Sequence, residues 1–308
     1  MLSLAQRRLF RPPCGGHLRF FRMGKVAPSS ENPSRNILKP VLFTGVVGST
    51  CFVGASLWQY EGLRSKVIQR QDFSTLLQPR VRKTGTFRQH VNGWWNNLTE
   101  GQRIFVPILA CNVAIFCAWQ LPRLQPFMYR FFSADPAQRA VCWPMLLSTF
   151  SHQSAFHLAT NMFVLHSFCS GAVASLGKEQ FLGLYLTSGV VSSLVSHLYK
   201  VSTKFPGRSL GASGAIMAIL GYVCTAHPDI RLSIIFLPQF NFTGEMAIKC
   251  LLLMDSVGMV LRWRFFDHAA HLGGALFGIF WAMYGQGLWM KREVLVTWWH
   301  NQRGVPSK

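Results

Sequence analysis

Acidic residues are scarce in this chain. Its 308 positions hold 11 Asp and Glu against 31 Lys and Arg, and charged residues make up 14% of the whole. A soluble domain carries roughly 25%, so the composition excludes an ordinary water-facing surface. The formal net charge of +20 invites a nucleic-acid reading. However, the basic residues fall in tails and loops between apolar runs rather than along one patterned face, so they read as membrane flanks and no nucleic-acid partner is expected. Other chemistry is missing too. The eight cysteines include no C-x-x-C pair, and Cys51, Cys111, Cys117, Cys169, Cys224 and Cys250 lie inside apolar stretches. Neither a disulfide framework nor a zinc site is implied. There is no H-E-x-x-H pair and no internal repeat.

What is present is apolar: hydrophobic residues make up 50% of the chain. A span needs about 20 mostly apolar residues, and seven stretches qualify, several interrupted by Gly or by polar residues. The first, about 41 to 58, stands alone. After a polar connector come six more, at about 104–121, 156–176, 180–201, 210–226, 246–261 and 268–288. The connector, 61 to 101, carries seven basic residues and the pair Trp94-Trp95, which suits a membrane interface. The expected fold is an all-α polytopic membrane protein, one helix plus six, lying in a lipid bilayer.

The first forty residues differ in character. Arg7, Arg8, Arg11, Arg19, Arg22, Lys25, Arg35 and Lys39 stand against the single acid Glu31, and the continuous apolar core of a secretory signal is absent. This is a mitochondrial transit composition, with a basic tail held on anionic lipid as the alternative. Between the second and third spans, residues 122 to 155 interleave Pro122, Pro126, Pro136 and Pro144 with Phe127, Tyr129, Phe131, Phe132 and Trp143. Such a loop is too polar to span and too aromatic to be simply solvated, so it belongs partly in the interface. Basic residues divide 16 to 13 between the two faces, which leaves the orientation open. Span parity puts the loop before Ser213 on the face of the N-terminal tail.

Polar residues inside the spans need a packing or a functional reason. Gly211-Ala-Ser-Gly214 opens one span, His271 lies in another, and His157-x-x-x-Asn161 in a third. A serine hydroxyl becomes nucleophilic when a neighbouring base takes its proton, and histidine suits that role near neutral pH. Gly214, Ala218 and Gly221 on one span and Gly274-x-x-x-Gly278 on the other form small faces through which two helices can approach closely and bring Ser213 and His271 together. Ser213 also falls near a helix start, where unpaired N-H groups point at an incoming oxyanion. Gly211 permits the turn, and Gly214 lets a substrate backbone approach. His157 and Asn161, four apart, share a face and can donate to the same oxygen. For each of these residues alone, helix packing or an interhelical polar contact competes with catalysis. Ser213 sits outside the G-x-S-x-G pattern of soluble hydrolases. A metal reading would draw on His152, His157, His268, His271 and Asp267, but Asp267 at a helix start serves equally as a cap, and no cofactor or metal is expected. Asp255, inside a span, has no evident role.

These residues resemble the rhomboid intramembrane serine proteases. The resemblance is carried by Ser148-Thr-Phe-Ser-His152 with Phe156-His157-Leu-Ala-Thr-Asn161, by Leu210-Gly-Ala-Ser213-Gly-Ala-Ile-Met217, and by the run from Phe265 through His271 to Gly278, in that family's order. Within it the similarity is to members of the mitochondrial inner membrane, from about Lys39 onward. It implies a nucleophile at Ser213, a general base at His271 with no third acid, oxyanion stabilisation by His157 and Asn161, and a structural loop role for His152. The implied activity is cleavage of single-pass mitochondrial membrane proteins, with roles in mitophagy and apoptosis signalling. The competing readings are an inactive scaffold of the same fold, and a transporter or channel. Two departures stand out: Trp143 is followed by Pro144 where many members have Trp-Arg, and Met217 stands where many have a tyrosine under the histidine. The chain divides into a transit and basic tail (1–38), an extra span (39–60), a connector (61–102), a six-helix core (103–290) and a C-terminal tail (291–308).

Overall fold

The computed structural model describes residues 37–71, 85–234 and 237–304. Residues 1–36 of the expected transit segment and residues 72–84 of the connector lie outside these. Seven helices occupy the seven expected stretches: α1 (Leu38–Gln71), α3 (Glu100–Trp119), α6 (Ala155–Leu176), α7 (Lys178–Thr203), α8 (Ser213–Ala226), α9 (Gly244–Val260) and α10 (His268–Phe280). α10 continues through a π-helical turn, Trp281–Gly285, into α11 (Gln286–Met290). Among the described residues, α1, α3 and α7 are each long and apolar enough to cross a membrane by length and composition. Large side chains such as Val46 on α1, Leu253, Val257 and Val260 on α9 and Leu276 on α10 lie exposed. In water such a surface would drive association, whereas lipid accommodates it.

Local chemistry sets the helix starts. Thr99 opens α3 with a capping box: Gln102 N donates to Thr99 Oγ1 at 3.2 Å, and Thr99 N to Gln102 Oε1 at 2.9 Å. Ser154, Thr243 and Asp267 cap α6, α9 and α10 in the same sense. The connector ends in a short exposed helix, α2 (Thr86–Asn97), which carries Trp94 and Trp95. Arg103 donates to the Trp95 and Asn96 carbonyls and fixes the end of α2 against α3.

The apolar core lies between α3, α6, α7 and α8, around the fully buried Leu165, Phe181 and Tyr185. α8 and α10 approach each other through the small faces read in the sequence. A Cβ on Gly274 would run into the Gly214 carbonyl, and one on Gly278 into the Ala218 carbonyl. α1 packs along α7, with Gly183 against Ala55 and Gly48 against Thr187.

The two ends of α1 are held differently. Near its start Phe43 meets Trp143 edge to face at 5.8 Å, and Cys142 Sγ approaches the Lys39 carbonyl at 3.8 Å. The aromatic loop, with its short helices α4 (Gln125–Phe131) and α5 (Cys142–Leu147), therefore sits at that end. The chain before Ser213 joins it there through a backbone pairing of Ala134 with Ser209, as span parity requires. At the other end, Glu61 accepts from Trp299 and Arg303 of α12 (Glu293–Arg303). Between α8 and α9, a stretch the hydropathy reading leaves as a loop pairs as a hairpin, β1 (Arg231–Ile234) with β2 (Leu237–Thr243), antiparallel with a bulge after Ser233.

Candidate active site

Ser213 is the first residue of α8, and the turn leading to it is pinned from several sides. Gly211 adopts a φ of +124°, a conformation that L side chains rarely adopt. A Cβ there would also press on the His157 ring at 2.7 Å. Gly211 N donates to the Ser148 carbonyl at 2.9 Å, and Ala212 N donates to His152 Nε2 at 3.3 Å. His152 is thus a structural acceptor, and it must stay neutral to serve. Burial, with the neighbouring His157 adding to it, pushes its imidazole down to about 3.

The close contact of α8 with α10 brings the two distant residues together. Ser213 Oγ and His271 Nε2 lie 2.9 Å apart, within the range for a serine that passes its proton to an imidazole. For Nε2 to accept, the ring must carry its proton on Nδ1, and that atom faces Asp255 Oδ1 at 3.5 Å. The sequence left Asp255 without a role. It is fully buried on α9 and holds His268 Nδ1 on the same oxygen at 2.7 Å, while its Oδ2 has no hydrogen-bond partner among the described residues. One carboxylate oxygen therefore serves two imidazoles, tightly at His268 and loosely at His271. Phe266 lies across His271, with the ring centres 5.9 Å apart and the planes at 34°.

His157 and Asn161 lie on one face of α6, as their spacing requires, and His157 lines the same cavity as Ser213. Asn161 Nδ2 donates to the His157 carbonyl at 2.8 Å. Met217 is buried in a cluster with Ala247, Ile248 and Ala275, where α8, α9 and α10 meet. Trp143 is exposed over α1, and Pro144 is buried at the start of α5, so the departure from the family's Trp-Arg lies where the aromatic loop meets the extra helix.

Ser213 and His271 both line a cavity of about 610 Å³. Phe156, Phe205, Trp263, Phe265 and Phe266 form its aromatic walls, and Lys200, Arg208, Ser209 and Asp267 supply its polar lining. The polar members are paired: Lys200 with Asp267 at 2.9 Å and Arg208 with Asp135 at 3.3 Å. Burial opposes ionisation of Asp267. The Lys200 charge and hydrogen bonds from Ser196, Ser209 and Lys200 outweigh it and hold the carboxyl well below its ordinary range.

Comparison with known proteins follows the same residues. The sequence model for the Rhomboid domain matches residues 139–286. The chain is 51% identical over 280 residues to the presenilin-associated rhomboid-like protein, mitochondrial, of Bos taurus, covering 89% of this chain and 74% of that one. It is 31% identical over 198 residues to the Rhomboid protein 1, mitochondrial, of Saccharomyces cerevisiae, covering 64% and 57%. It is also 29% identical over 141 residues to the Rhomboid protease GluP of Bacillus subtilis, covering 45% and 25%.

Proposed function

The chain belongs to the rhomboid family of intramembrane serine proteases, and on that premise we propose that Ser213 and His271 form its catalytic dyad. It is a peptide hydrolase and a multi-pass protein of a mitochondrial membrane, acting within the bilayer on membrane proteins. The observation that carries the dyad is the 2.9 Å separation of Ser213 Oγ and His271 Nε2, both of which line the cavity.

As Ser213 Oγ attacks the scissile carbonyl carbon, its proton passes to His271 Nε2. The carbonyl oxygen becomes an oxyanion beside the first turn of α8, whose N-H groups have no intrahelical partners. His157 and Asn161 donate to it from α6, Asn161 by releasing the His157 carbonyl. Asp255 favours the imidazolium that forms, because its charge lies 3.5 Å from Nδ1. The imidazolium then protonates the leaving amine, and water repeats the sequence on the acyl-enzyme. Asp255 has its hydrogen-bond partner in His268.

The substrates we propose are single-pass mitochondrial membrane proteins cut near their membrane segments, with the enzyme in the inner membrane and roles in mitophagy and apoptosis signalling. A peptide bond inside helical hydrogen bonding cannot be attacked, so helix-weakening residues in the substrate favour cleavage. In this reading residues 1–38 form a transit and basic tail, 39–60 the extra span, 61–102 the connector, 103–290 the protease core and 291–308 a tail. The test is Ser213→Ala in liposomes with a transmembrane reporter: loss of cleavage is expected, and persistent cleavage overturns the assignment.

A further inference from the structure

The cavity wall holds a cluster that the proton transfers above do not use. Lys200, in the last turn of α7, is 5% exposed, a position where an ammonium persists only when paired. Its Nζ donates to Asp267 Oδ2 at 2.9 Å and to the Ser209 hydroxyl. Asp267 Oδ2 also accepts from Ser196 at 2.5 Å and from Ser209, while Oδ1 caps α10 by accepting from Ala270 N at 3.1 Å.

Three segments converge on this carboxylate: α7, the approach to α8, and the start of α10. Ser213 follows Ser209 by four residues, and His271 follows Asp267 by four. The other anchors of the approach, the Ala134, Ser148 and His152 contacts, tie it to the aromatic loop and the turn after it. Among the described residues, the hydrogen bond that ties residues 209–212 to the start of α10 runs from Ser209 to Asp267. Capping α10 alone needs one oxygen of Asp267. The second oxygen, the buried cation and the two serines join the two strands of chain that carry the nucleophile and its base.

We propose that the Lys200–Asp267 pair, with Ser209 held between its members, is a positioning device that sets the separation of Ser213 from His271. The inference rests on the proposed dyad. Lys200 acts through Asp267 and Ser209 and takes no proton from substrate. Without the cation, Asp267 is a half-buried anion lacking its counter-charge, and it relaxes toward water or other donors. The start of α10 and the approach to α8 then separate. A displacement of about 1 Å at the reacting atoms costs about 100-fold in rate.

The experiment measures acylation of Ser213 by a fluorophosphonate, and kcat and KM for a transmembrane reporter, in full-length protein in liposomes, with rates normalised to titrated sites. Lys200→Met is expected to lower the acylation rate and kcat together by about 100-fold with KM within about threefold, and Ser209→Ala to lower them by about tenfold. A merely structural pair would instead lower the melting temperature and the titratable fraction while each titrated site worked at the wild-type rate, and that result overturns the proposal. If Lys200→Met does not fold, Ser209→Ala decides alone, and a wild-type rate in it is equally fatal. Failure of the dyad reading is separately visible, because wild-type protein would then resist labelling at Ser213.

Discussion

Asp255→Asn is the substitution that most directly probes how His271 is held. The perturbation removes one charge and little volume, and it leaves an oxygen that can still accept from His268. Asp255 Oδ1 lies 3.5 Å from His271 Nδ1. At that distance, with an effective dielectric of about 20, a carboxylate and an imidazolium attract by about 5 kcal/mol. The imidazolium exists only after Ser213 has given up its proton, so the term is realised in the transition state and reaches kcat rather than KM. Taken whole, about 5 kcal/mol is more than three decades in rate. His268 holds the same oxygen at the shorter distance of 2.7 Å, which commits part of the carboxylate elsewhere. The expected fall is therefore about 10²- to 10³-fold in kcat.

The assay is single-turnover cleavage of a quenched transmembrane peptide in liposomes, normalised to sites titrated by a fluorophosphonate. Normalisation matters because Asp255 is fully buried and its substitution also touches folding. If each titrated site of Asp255→Asn cuts within about threefold of wild type, the carboxylate serves only to hold His268, and His271 takes its proton without help from Asp255.

The remaining expectations concern other parts of the site. His157→Ala and Asn161→Ala should each lower kcat by about 10²- to 10³-fold with little change in KM; unchanged turnover would remove them from the oxyanion site. His152 binds no proton in the folded protein until pH falls to about 3, whereas the unfolded chain protonates it below about 6.5. The unfolded state then binds more protons, and His152 costs about 1.4 kcal/mol of stability for each pH unit below that value. Melting curves at pH 7.5 and 5.5 should therefore differ less for His152→Gln than for wild type, and an equal difference would show that His152 does not report its burial. Gly278→Val places side-chain atoms where the Ala218 carbonyl lies. It should destabilise by about 1 to 3 kcal/mol and abolish labelling of Ser213, and normal labelling would show that α8 and α10 need not approach so closely.

Much of this arrangement was legible in the sequence because it rests on local composition and periodicity. Long apolar runs predict helices whatever surrounds them, and the small faces of α8 and α10 identify their own partner because only glycine and alanine admit such contact. His157 and Asn161 share a face by spacing alone. The residues that were not legible are those whose meaning depends on the chain at a distance. Asp255 reads as an unexplained acid until α9 is placed beside the start of α10. Lys200 reads as one more basic residue near a span end, yet it proves buried and paired with Asp267, 67 positions away. The hairpin of β1 and β2 is short and irregular, with a bulge after Ser233, so no alternation announced it.

The start of α8, like that of α7 on Gly177, carries no side-chain cap. α3, α6, α9 and α10 each open on Thr, Ser or Asp, whose side chain accepts from the backbone N-H three residues on. α8 opens on Ala212, which has no acceptor to offer. A missing cap costs about 1 kcal/mol, and this is the one among the five where a cap would defeat the chemistry, because a capping oxygen would occupy the donors that must meet the oxyanion. Restraint comes from outside the helix, through the Ser148 carbonyl, the His152 ring and the Ser209 link to Asp267. None of these uses the N-H groups of the first turn of α8. The helix start is thus held in place by the residues before it, and its own donors remain available to the substrate.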